Sequence, residues 1–273
     1  MKQRYSVLMS VYSKDSAAYL TESMESMIRQ SVPCDQFVIV EDGAVGAELE
    51  DVIRGYERAY PEIFTVVPLA ENGGLGRALN AGIQACKYDL IARMDADDIS
   101  KPDRCQKQLE AFEADPELEI LGTQVEEFTG SINHIISRRI VPADGDGIRK
   151  FARRRSPFNH PTVMYRKSTL EQLGGYREYG RKEDLDLFLR AAFSGIGVGN
   201  LDEPLLYYRT SPENQKRRKS WTNCREYIQI MYGFFRQKKI GFVDMLYVLI
   251  GQITLYVMPE KFTSLISKRF LRS

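Results

Sequence analysis

The chain has 273 residues, 43% of them hydrophobic and 27% charged, and its formal net charge is +1. These values are typical of a globular protein with a sizeable core, built as one large domain or as one domain with an appendage. The nearly neutral total argues against a nucleic-acid partner. The charge is uneven, because residues 211–273 contain twelve Lys/Arg and four Asp/Glu, about +8 against about −7 for the rest. Such a basic end indicates either contact with an anionic surface, a membrane or a polyanion, or a solvated helical face.

The cysteine pattern predicts a reduced, cytosolic chain. The four cysteines are far apart, with no CxxC pair and no zinc-ligand spacing: Cys34, Cys86, Cys105 and Cys224. The N-terminus is basic, but the apolar run after it is short and is followed by Lys14 and Asp15. We therefore interpret the N-terminal run as a first strand and not as a signal peptide.

The first hundred residues alternate between two patterns. Short apolar runs with β-branched residues predict strands at residues 5–12, 37–40, 64–69 and 90–94. Helical spacing of apolar residues predicts helices between them, at 16–30, 49–60 and 76–86. This alternation predicts βαβ units and a parallel sheet. Right-handed crossovers would place the C-terminal ends of all four strands at one edge.

Three of these strands end at candidate ligand-binding residues. They are Ser10, Val11 and Tyr12 at the end of the first strand, Glu41 and Asp42 after the second, and Asp95, Asp97 and Asp98 after the fourth. Ligands bind at this edge of open α/β sheets. Closely spaced carboxylates also suit a hard divalent cation such as Mg²⁺ or Mn²⁺. The alternative for the aspartates is a helix start, but Ser100 and Asp103 already predict a capping box for the next helix, with Pro102 in its first turn.

The loop at residues 72–77, Asn-Gly-Gly-Leu-Gly-Arg, is less informative. It matches neither the P-loop nor the dinucleotide fingerprint. We interpret it as a tight turn that begins a helix, in which glycine supplies a positive φ. Arg77 stays a candidate to face a phosphate.

The pattern changes after residue 100. We predict a helix at 102–114, two strands at 118–129 and 134–141 that pair antiparallel, a short basic helix at 148–155 and a strand at 162–165. A further helix begins near residue 181, and its apolar face consists of Leu185, Phe188, Leu189 and Ala192.

Three acids lie at the start of that helix. Glu183 and Asp184 in the first turn are compatible with a favourable interaction with the helix dipole. Asp186 has an ion-pair partner in Arg190, four residues later. Asp184 lies at the border of the apolar face, where partial burial would make the carboxylate more basic and suit a general base.

Several ordered motifs together resemble the inverting glycosyltransferases of family 2 with the GT-A fold, especially bacterial enzymes that extend O-antigen and capsular repeat units. The motifs are SVLMSVYSKD, VIVEDG, NGGLGRALNAGI, ARMDADDISKPDR, HPTVMYRK and GGYREYGRKEDLDLFLR, within about residues 5–210. The resemblance implies an α/β catalytic domain at 1–210 with a mostly parallel sheet flanked by helices. Its nucleotide-sugar half would be about 1–100 and its acceptor half about 101–210, with a helical extension at 211–273.

The resemblance also implies residue roles. Residues Ser10, Val11, Tyr12, Glu41 and Asp42 would hold the base and ribose of a nucleoside diphosphate sugar, with Arg93 and Ala96 near the same pocket. In the D-x-D motif, Asp95 would lie near the ribose and Asp97 would bind Mn²⁺ or Mg²⁺ across the diphosphate. Asp184 would be the catalytic base. His160, in an H-P element, would either face the acceptor or pack beneath the site, and Glu183 would lie on the acceptor side.

The implied reaction is a metal-dependent single displacement. It would move a sugar from a UDP-sugar, with UDP-Gal or UDP-Glc favoured and UDP-GlcNAc open, to a saccharide carried on a polyprenyl diphosphate. Processive relatives carry a Q-x-x-R-W motif, whereas here Gln215 and Arg218 are followed by Lys219, so we predict single addition. Two alternatives are a nucleotidyltransferase and an inactive nucleotide-sugar-binding protein.

The C-terminal quarter contains an apolar stretch at 240–258, nearly long enough to span a bilayer. Asp244 within it and basic residues on both sides argue against a span. We predict helices that lie on the cytoplasmic face of the bacterial inner membrane, with Tyr247 and Tyr256 at the interface. The cations near anionic headgroups would be Lys261, Lys268, Arg269 and Arg272. The alternatives are a core-packing helix and a homodimer contact.

Overall fold

The computed structural model describes residues 3–210 and 220–257. The strands are β1 (Tyr5–Val11), β2 (Gln36–Glu41), β3 (Phe64–Pro68), β4 (Leu90–Met94), β5 (Ile99–Ser100), β6 (Leu118–Thr129), β7 (Ser131–Arg139), β8 (Met164–Arg166) and β9 (Gly197–Arg209). The helices are α1 (Ala17–Ile28), α2 (Ala47–Ala59), α3 (Leu75–Ala85), α4 (Arg104–Ala114), α5 (Gly145–Ala152), α6 (Lys167–Leu173), α7 (Glu183–Ser194), α8 (Trp221–Arg236) and α9 (Phe242–Val257), with a 3₁₀ turn at His160–Thr162.

All of these strands belong to one mixed sheet. Its order is β3-β2-β1-β4-β8-β6-β9-β5, and β7 pairs with β6 beside this path. The β1–β2, β1–β4 and β2–β3 pairs are parallel, whereas β8 runs antiparallel to both β4 and β6. The predicted parallel half and the predicted antiparallel β6–β7 pair are therefore confirmed. The C-terminal ends of β1, β2 and β4 meet at one edge.

Helices cover both faces of the sheet because the strand residues alternate between two cores. Val7 and Met9 of β1 pack with α1, α2 and α4, and Leu8 between them packs with α3, α6 and α7 on the other face. β2 is buried along its whole length, as expected for a central parallel strand. α3 lies close to the sheet because Gly82 has no side chain: a Cβ there would be 2.2 Å from Leu8 Cδ1.

The structure differs from the sequence predictions at the start of α4 and at β9, among other places. The predicted capping box is wrong: Ser100 lies in β5, and α4 begins after Asp103 without a side-chain cap. The long strand β9 was not predicted, because Asp202, Glu203 and Pro204 interrupt its apolar pattern and its pairing with β6 shifts register there.

The two C-terminal helices pack on α7. Leu185 and Leu189 of α7 form one buried cluster with Ile230, Met231 and Phe234 of α8 and with Val248 of α9. Within residues 3–210 and 220–257, no helix combines the length and the apolar character that a membrane crossing requires. The predicted division at residue 210 stays a prediction. Residues Gln215–Lys219 and the predicted headgroup-binding cations from 261 onwards lie outside the described residues.

Candidate active site

Three carboxylates lie together just after β4. One oxygen from each of Asp95, Asp97 and Asp98 can be chosen so that all three lie within 4.8 Å of one another. β4 places them there because Met94 lies opposite Met9 of β1, so Asp95 leaves the sheet at the edge where β1 also ends. The sequence predicted Asp95 and Asp97 as metal ligands, and the structure brings Asp98 to the same cluster.

Burial of these carboxylates makes their negative charges costly. Burial and the charge of Asp95 raise the pKa of Asp97 to about 6. Burial, with the charges of Asp97 and Asp95, raises the pKa of Asp98 well above its ordinary value. One oxygen of Asp98, Oδ2, is buried without a hydrogen-bond partner. Oxygen ligands, closely spaced like charges and an unpaired buried oxygen together fit a hard divalent cation such as Mn²⁺ or Mg²⁺.

Distant parts of the chain hold this turn in place. Ser23 of α1 donates its hydroxyl to the carbonyl oxygen of Asp95 at 2.6 Å. Arg209, at the end of β9, donates its backbone N–H to Asp98 Oδ1 at 2.8 Å and its Nε–H to the carbonyl oxygen of Asp97 at 2.7 Å. The Arg209 guanidinium also pairs with Glu22 and lies 3.9 Å from the ring centre of Tyr19.

Two buried arginines lie beneath the carboxylate cluster. Arg93 of β4 is 1% exposed and pairs with Asp95, while its Nε and Nη1 have no hydrogen-bond partner. Arg104 of α4 is fully buried and donates to the carbonyl oxygens of Arg93 and Pro161 at 2.7 and 3.2 Å. The charge of Arg93 opposes the rise in the pKa values of Asp97 and Asp98, whereas Arg104 holds the backbone of β4. Arg93 was predicted at this pocket, and Arg104 was not.

The other predicted nucleotide-binding residues lie along the same sheet edge. Val11 of β1 is opposite Glu41 of β2, so Ser10, Val11, Tyr12, Glu41 and Asp42 are neighbours, and Ala96 lies in the core beside them. Both oxygens of Asp42 accept backbone N–H groups, from Gly73 at 2.8 Å and from Gly74 at 3.1 Å. Asp42 therefore holds the glycine turn that begins α3, which agrees with our interpretation of that loop. Arg77 is exposed and pairs with Glu71 at 3.1 Å.

Of the two acids at the end of β2, Glu41 and Asp42, only Glu41 has a buried oxygen without a hydrogen-bond partner. It is 6% exposed, and its Oε1 accepts no hydrogen bond although Arg54 lies 3.6 Å away. Burial raises the pKa of its carboxyl, and the charge of Arg54 opposes this. The Oε1 oxygen is itself buried, so the protein leaves the Glu41 carboxylate incompletely hydrogen-bonded.

The N-terminus of α7 lies within range of the charge of Arg93. Burial and the charge of Asp184 raise the pKa of Glu183 to about 7, and the charge of Arg93 opposes this. Since the same arginine also lowers the pKa of Asp97, its charge acts on both groups of acids. α7 can come close to α3 because Gly76 has no side chain: a Cβ there would lie 3.2 Å from the Glu183 Cβ. Asp184 is half-buried, as predicted from its position at the border of the apolar face.

Two further sequence predictions can be compared with the structure. Asp186 pairs with Arg190 at 2.8 Å, which confirms their helical spacing. The His160 ring packs against Phe188, and its Nε2 lies 2.9 Å from the hydroxyl oxygen of Tyr176. Burial and the charge of Arg93 hold the pKa of His160 well below its ordinary value, so the ring is neutral. His160 therefore packs against α7 and Tyr176, and its place relative to the acceptor stays a prediction.

Sequence reasoning missed Ser23, Arg104 and Arg209. Each acts mainly through backbone atoms of the β4 turn or of neighbouring loops, so no spacing in the sequence marks it. Arg209 also gave no signal, because β9 was not predicted and the residue lies 111 positions from Asp98 in the chain.

Comparison with known proteins places the chain in a family. The sequence profile described as glycosyl transferase family 2 matches residues 6–174. The chain is 35% identical over 258 residues to the amylovoran biosynthesis glycosyltransferase AmsE of Erwinia amylovora, covering 94% of this chain and 95% of that protein. It is 34% identical over 277 residues to the UDP-Gal:alpha-D-GlcNAc-diphosphoundecaprenol beta-1,3-galactosyltransferase of Escherichia coli, covering 98% and 97%.

Solved structures of glycosyltransferases share the fold. The mannosyltransferase PcManGT from Pyrobaculum calidifontis, in complex with GDP-Man and Mn²⁺, matches with a TM-score of 0.67 at 16% identity, covering 94% of this chain and 71% of that chain. S. aureus TarS 1-349 in complex with UDP-GlcNAc matches with a TM-score of 0.63 at 17% identity, covering 98% and 76%. These likenesses show the GT-A fold. With the profile and the two relatives, they show that this chain belongs to glycosyl transferase family 2 and is a glycosyltransferase.

Proposed function

We propose that the protein is an inverting transferase that moves a hexose from a UDP-sugar to a saccharide carried on a lipid diphosphate, in bacterial surface polysaccharide synthesis. The observation that carries this proposal is the arrangement of two acid groups around one buried cation. The charge of Arg93 acts on Asp97 and Asp98 after β4 and also on Glu183, which begins α7 beside Asp184. One group can hold a metal-bound diphosphate, while the other can accept a proton.

The reaction is a single displacement at the anomeric carbon. The acceptor hydroxyl attacks that carbon from the face opposite the nucleoside diphosphate, and Asp184 takes the hydroxyl proton. The new bond joins the acceptor oxygen to the anomeric carbon, and the bond to the diphosphate oxygen breaks. An α-linked donor gives a β-linked product.

The other polar groups bind and orient the donor. Asp97 and Asp95, with Asp98 beside them, would hold Mn²⁺ or Mg²⁺, which supplies charge neutralisation to the departing diphosphate. Ser10, Tyr12 and Glu41 would contact the base and ribose. Arg93 keeps positive charge in a dry environment within range of both acid groups, where electrostatic interactions are stronger than in water.

The choice of donor and acceptor rests on the relatives. The Escherichia coli relative is named for UDP-Gal and for a GlcNAc-diphosphoundecaprenol acceptor. At 34% identity over nearly the whole chain, the same chemical class of donor and acceptor is the best supported. UDP-Gal and UDP-Glc are favoured, and UDP-GlcNAc is the third candidate.

A donor screen tests the proposal. Purified protein is mixed with Mn²⁺, a GlcNAc- or GalNAc-diphosphate lipid and one nucleotide sugar at a time, and release of nucleoside diphosphate is measured. We expect release from one UDP-hexose, abolished by EDTA and by Asp184→Asn. If no donor releases nucleoside diphosphate, calorimetry then measures the binding of UDP-sugars with Mn²⁺. Binding without release would indicate a wrong acceptor or an inactive binding protein. Absence of binding would contradict the proposed function.

We also propose that the enzyme binds the cytoplasmic face of the inner membrane through α9. This helix exposes Phe242, Val243, Leu246, Tyr247, Ile250, Ile253, Tyr256 and Val257 to solvent, and only Val248 in it is buried. Such a face with basic residues nearby suits an anionic bilayer surface. Flotation with anionic vesicles should recover the wild-type protein, and Phe242→Ser/Ile250→Ser should lose it. If the variant still floats with the vesicles but light scattering shows that it has lost a dimer, α9 would instead be a homodimer contact.

A further inference from the structure

A basic segment, defined here as residues 150–155, lies where the catalytic domain meets the C-terminal helices. It forms the end of α5 and the turn after it, and it contains Lys150, Arg153, Arg154 and Arg155. Lys150, Arg153 and Arg154 are exposed, and Arg155 is half-buried. The active-site residues described above do not include any of them, so the function of this charge is unassigned.

Arg154 joins the basic segment to the apolar face of α9. Its Nε donates to Asp244 Oδ1 at 2.6 Å, and its guanidinium lies 4.7 Å from the ring centre of Tyr247. Tyr247 belongs to the exposed apolar face and is 59% exposed. The cationic residues are therefore held directly beside the surface that would meet lipid.

Arg155 is the half-buried cation of this segment. Among the described residues it makes no ion pair, and its guanidinium lies over the Phe151 ring at 4.7 Å. Burial lowers the pKa of Arg155, and the nearby charge of Arg139 lowers it further. Arg139 is itself paired with Glu127 at 2.7 Å. A half-buried guanidinium without an anion is a binding position for carboxylate or phosphate.

Tyr227 of α8 connects this position to the start of α7. Its hydroxyl donates to the carbonyl oxygen of Arg154 at 3.0 Å, and the Nζ of Lys182 lies 5.8 Å from its ring centre. Burial raises the pKa of Tyr227, the charge of Arg155 lowers it and the charge of Asp184 raises it. Tyr227 thus lies within range of both Asp184 and Arg155.

We propose that Arg155, with Arg153 beside it, binds the diphosphate of a lipid-diphosphate acceptor. The proposal rests on the proposed function, because it takes Asp184 as the base and α9 as the lipid-facing helix. The acceptor has three parts in fixed order: lipid, diphosphate and sugar. The protein offers a matching order, with the apolar face of α9 first, the basic segment next, and Asp184 beyond Tyr227.

The diphosphate of the acceptor fits Arg155 better than the headgroup of a bulk lipid. Arg155 is half-buried and its charge acts on Tyr227, on which Asp184 also acts, whereas Lys150 and Arg153 are exposed. An anion at Arg155 would therefore sit between the membrane surface and the base. Two phosphates also fit the planar guanidinium of arginine better than the point charge of lysine.

A comparison of two soluble acceptors tests the site without a bilayer. One is GlcNAc-diphosphate-decyl and the other is the decyl glycoside of GlcNAc, which lacks the diphosphate. For Arg155→Gln we expect the KM of the diphosphate acceptor to rise about tenfold or more, with kcat and the donor KM unchanged. The KM of the decyl glycoside should not change. Arg155→Lys should recover part of the loss.

The matched control is Arg149→Gln in α5, the helix before Arg155, because Arg149 already pairs with Asp146 at 2.5 Å. It should leave both acceptor KM values unchanged. An equal KM rise for both acceptors in Arg155→Gln would mean a structural role and overturn the proposal. Loss of flotation with anionic vesicles but an unchanged KM would assign Arg155 to bulk headgroups and also overturn it.

A binding measurement separates this proposal from the proposed function. Decyl diphosphate is titrated into wild type and Arg155→Gln in EDTA, so that no metal at the carboxylate cluster binds the diphosphate. We expect binding to weaken about tenfold in the variant, with decyl maltoside unaffected. If no sugar is ever transferred but this difference is observed, the diphosphate site stands and the reaction is wrong. If transfer is observed and the difference is absent, the reaction stands and the site is wrong.

Discussion

The backbone N–H of Arg209 donates to Asp98 Oδ1 at 2.8 Å, although the two residues are 111 positions apart in the chain. The Nε–H of the same arginine reaches the carbonyl oxygen of Asp97 at 2.7 Å. The end of β9, in the predicted acceptor half, therefore fixes the turn that carries the predicted metal ligands. Changes at Arg209 should alter the metal site without touching donor or acceptor directly.

We expect Arg209→Ala to weaken Mn²⁺ binding about 10- to 100-fold, because residues that orient metal ligands typically contribute that much. Arg209→Lys should recover part of the affinity by restoring one donor. Electron paramagnetic resonance of free Mn²⁺ measures the affinity, and the apparent KM for Mn²⁺ in turnover should rise in parallel. Arg138→Ala, an exposed arginine paired with Glu126 at 2.7 Å, is the control and should bind Mn²⁺ normally. Normal Mn²⁺ affinity in Arg209→Ala would limit Arg209 to a structural role.

Asp97→Asn should abolish the part of UDP binding that depends on metal. The amide keeps the shape of the side chain but removes the charge that a hard cation requires. Calorimetry of UDP with Mn²⁺ and with EDTA gives the difference, which should be large in wild type and near zero in the variant. Asp103→Asn removes an exposed carboxylate that pairs with Lys107 at 2.9 Å, and should behave as wild type. Metal-enhanced binding that survives Asp97→Asn would contradict the ligand assignment.

Asp184→Asn should lower kcat about 10²- to 10⁴-fold, the usual contribution of a general base. Donor binding should be kept, because Asp184 is proposed to contact the acceptor hydroxyl. Nucleoside diphosphate release in the presence of acceptor measures turnover, and calorimetry measures donor affinity. Glu178→Gln, an exposed carboxylate on the preceding loop, should keep wild-type turnover. Equal losses of turnover and donor affinity in Asp184→Asn would assign this residue to the donor site.

Glu183→Gln should make the free energy of unfolding less dependent on pH. The pKa of Glu183 is raised from its ordinary 4.5 to about 7, so the folded protein holds this proton more tightly than the unfolded chain. Its ionisation therefore lowers stability as pH rises through this window, by up to about 3 kcal/mol at pH 8.

The variant should consequently be more stable than wild type above pH 7 and similar to it below pH 4.5. Chemical denaturation at pH 4.5, 6 and 8 measures the difference. The exposed Glu178→Gln should follow the wild-type curve at every pH. A constant offset between Glu183→Gln and wild type would show that Glu183 carries no raised pKa.

Gly82→Ala should lower the free energy of unfolding by about 1–3 kcal/mol, because its methyl group would overlap Leu8 and force α3 away from the sheet. Gly55→Ala is the matched helical control. A Cβ at Gly55 meets nothing within 4 Å, so this change should raise stability by about 0.5–1 kcal/mol. Urea denaturation of both variants measures the two effects, and equal changes would mean that α3 does not lie as close to the sheet as described.

Local pattern was sufficient for the parallel half of the fold. β1, β2 and β4 are short apolar runs between amphipathic helices, and a run of this kind has few alternatives to a buried parallel strand. The same pattern did not predict β9, because Asp202 to Pro204 interrupt its apolar residues. Only the pairing with β6 makes this segment a strand. The wrong capping box at Ser100 has the same origin: its backbone N–H bonds to the hydroxyl of Ser26 on α1, a contact between segments 74 positions apart.

The sequence by itself determined the residue types at the sheet edge. Acids that follow apolar strands must lie where those strands end, so Asp95, Asp97, Glu41 and Asp42 could be assigned to one edge before any coordinates. Only the tertiary structure decided how these charges are compensated. Arg209, Arg104 and Ser23 reach the β4 turn from other elements through backbone atoms, and Arg155 is placed beside α8 and α9 by packing. The physical reason is that periodicity reports which face of one element is buried, whereas a charge is stabilised by whichever groups the whole fold brings within a few ångströms.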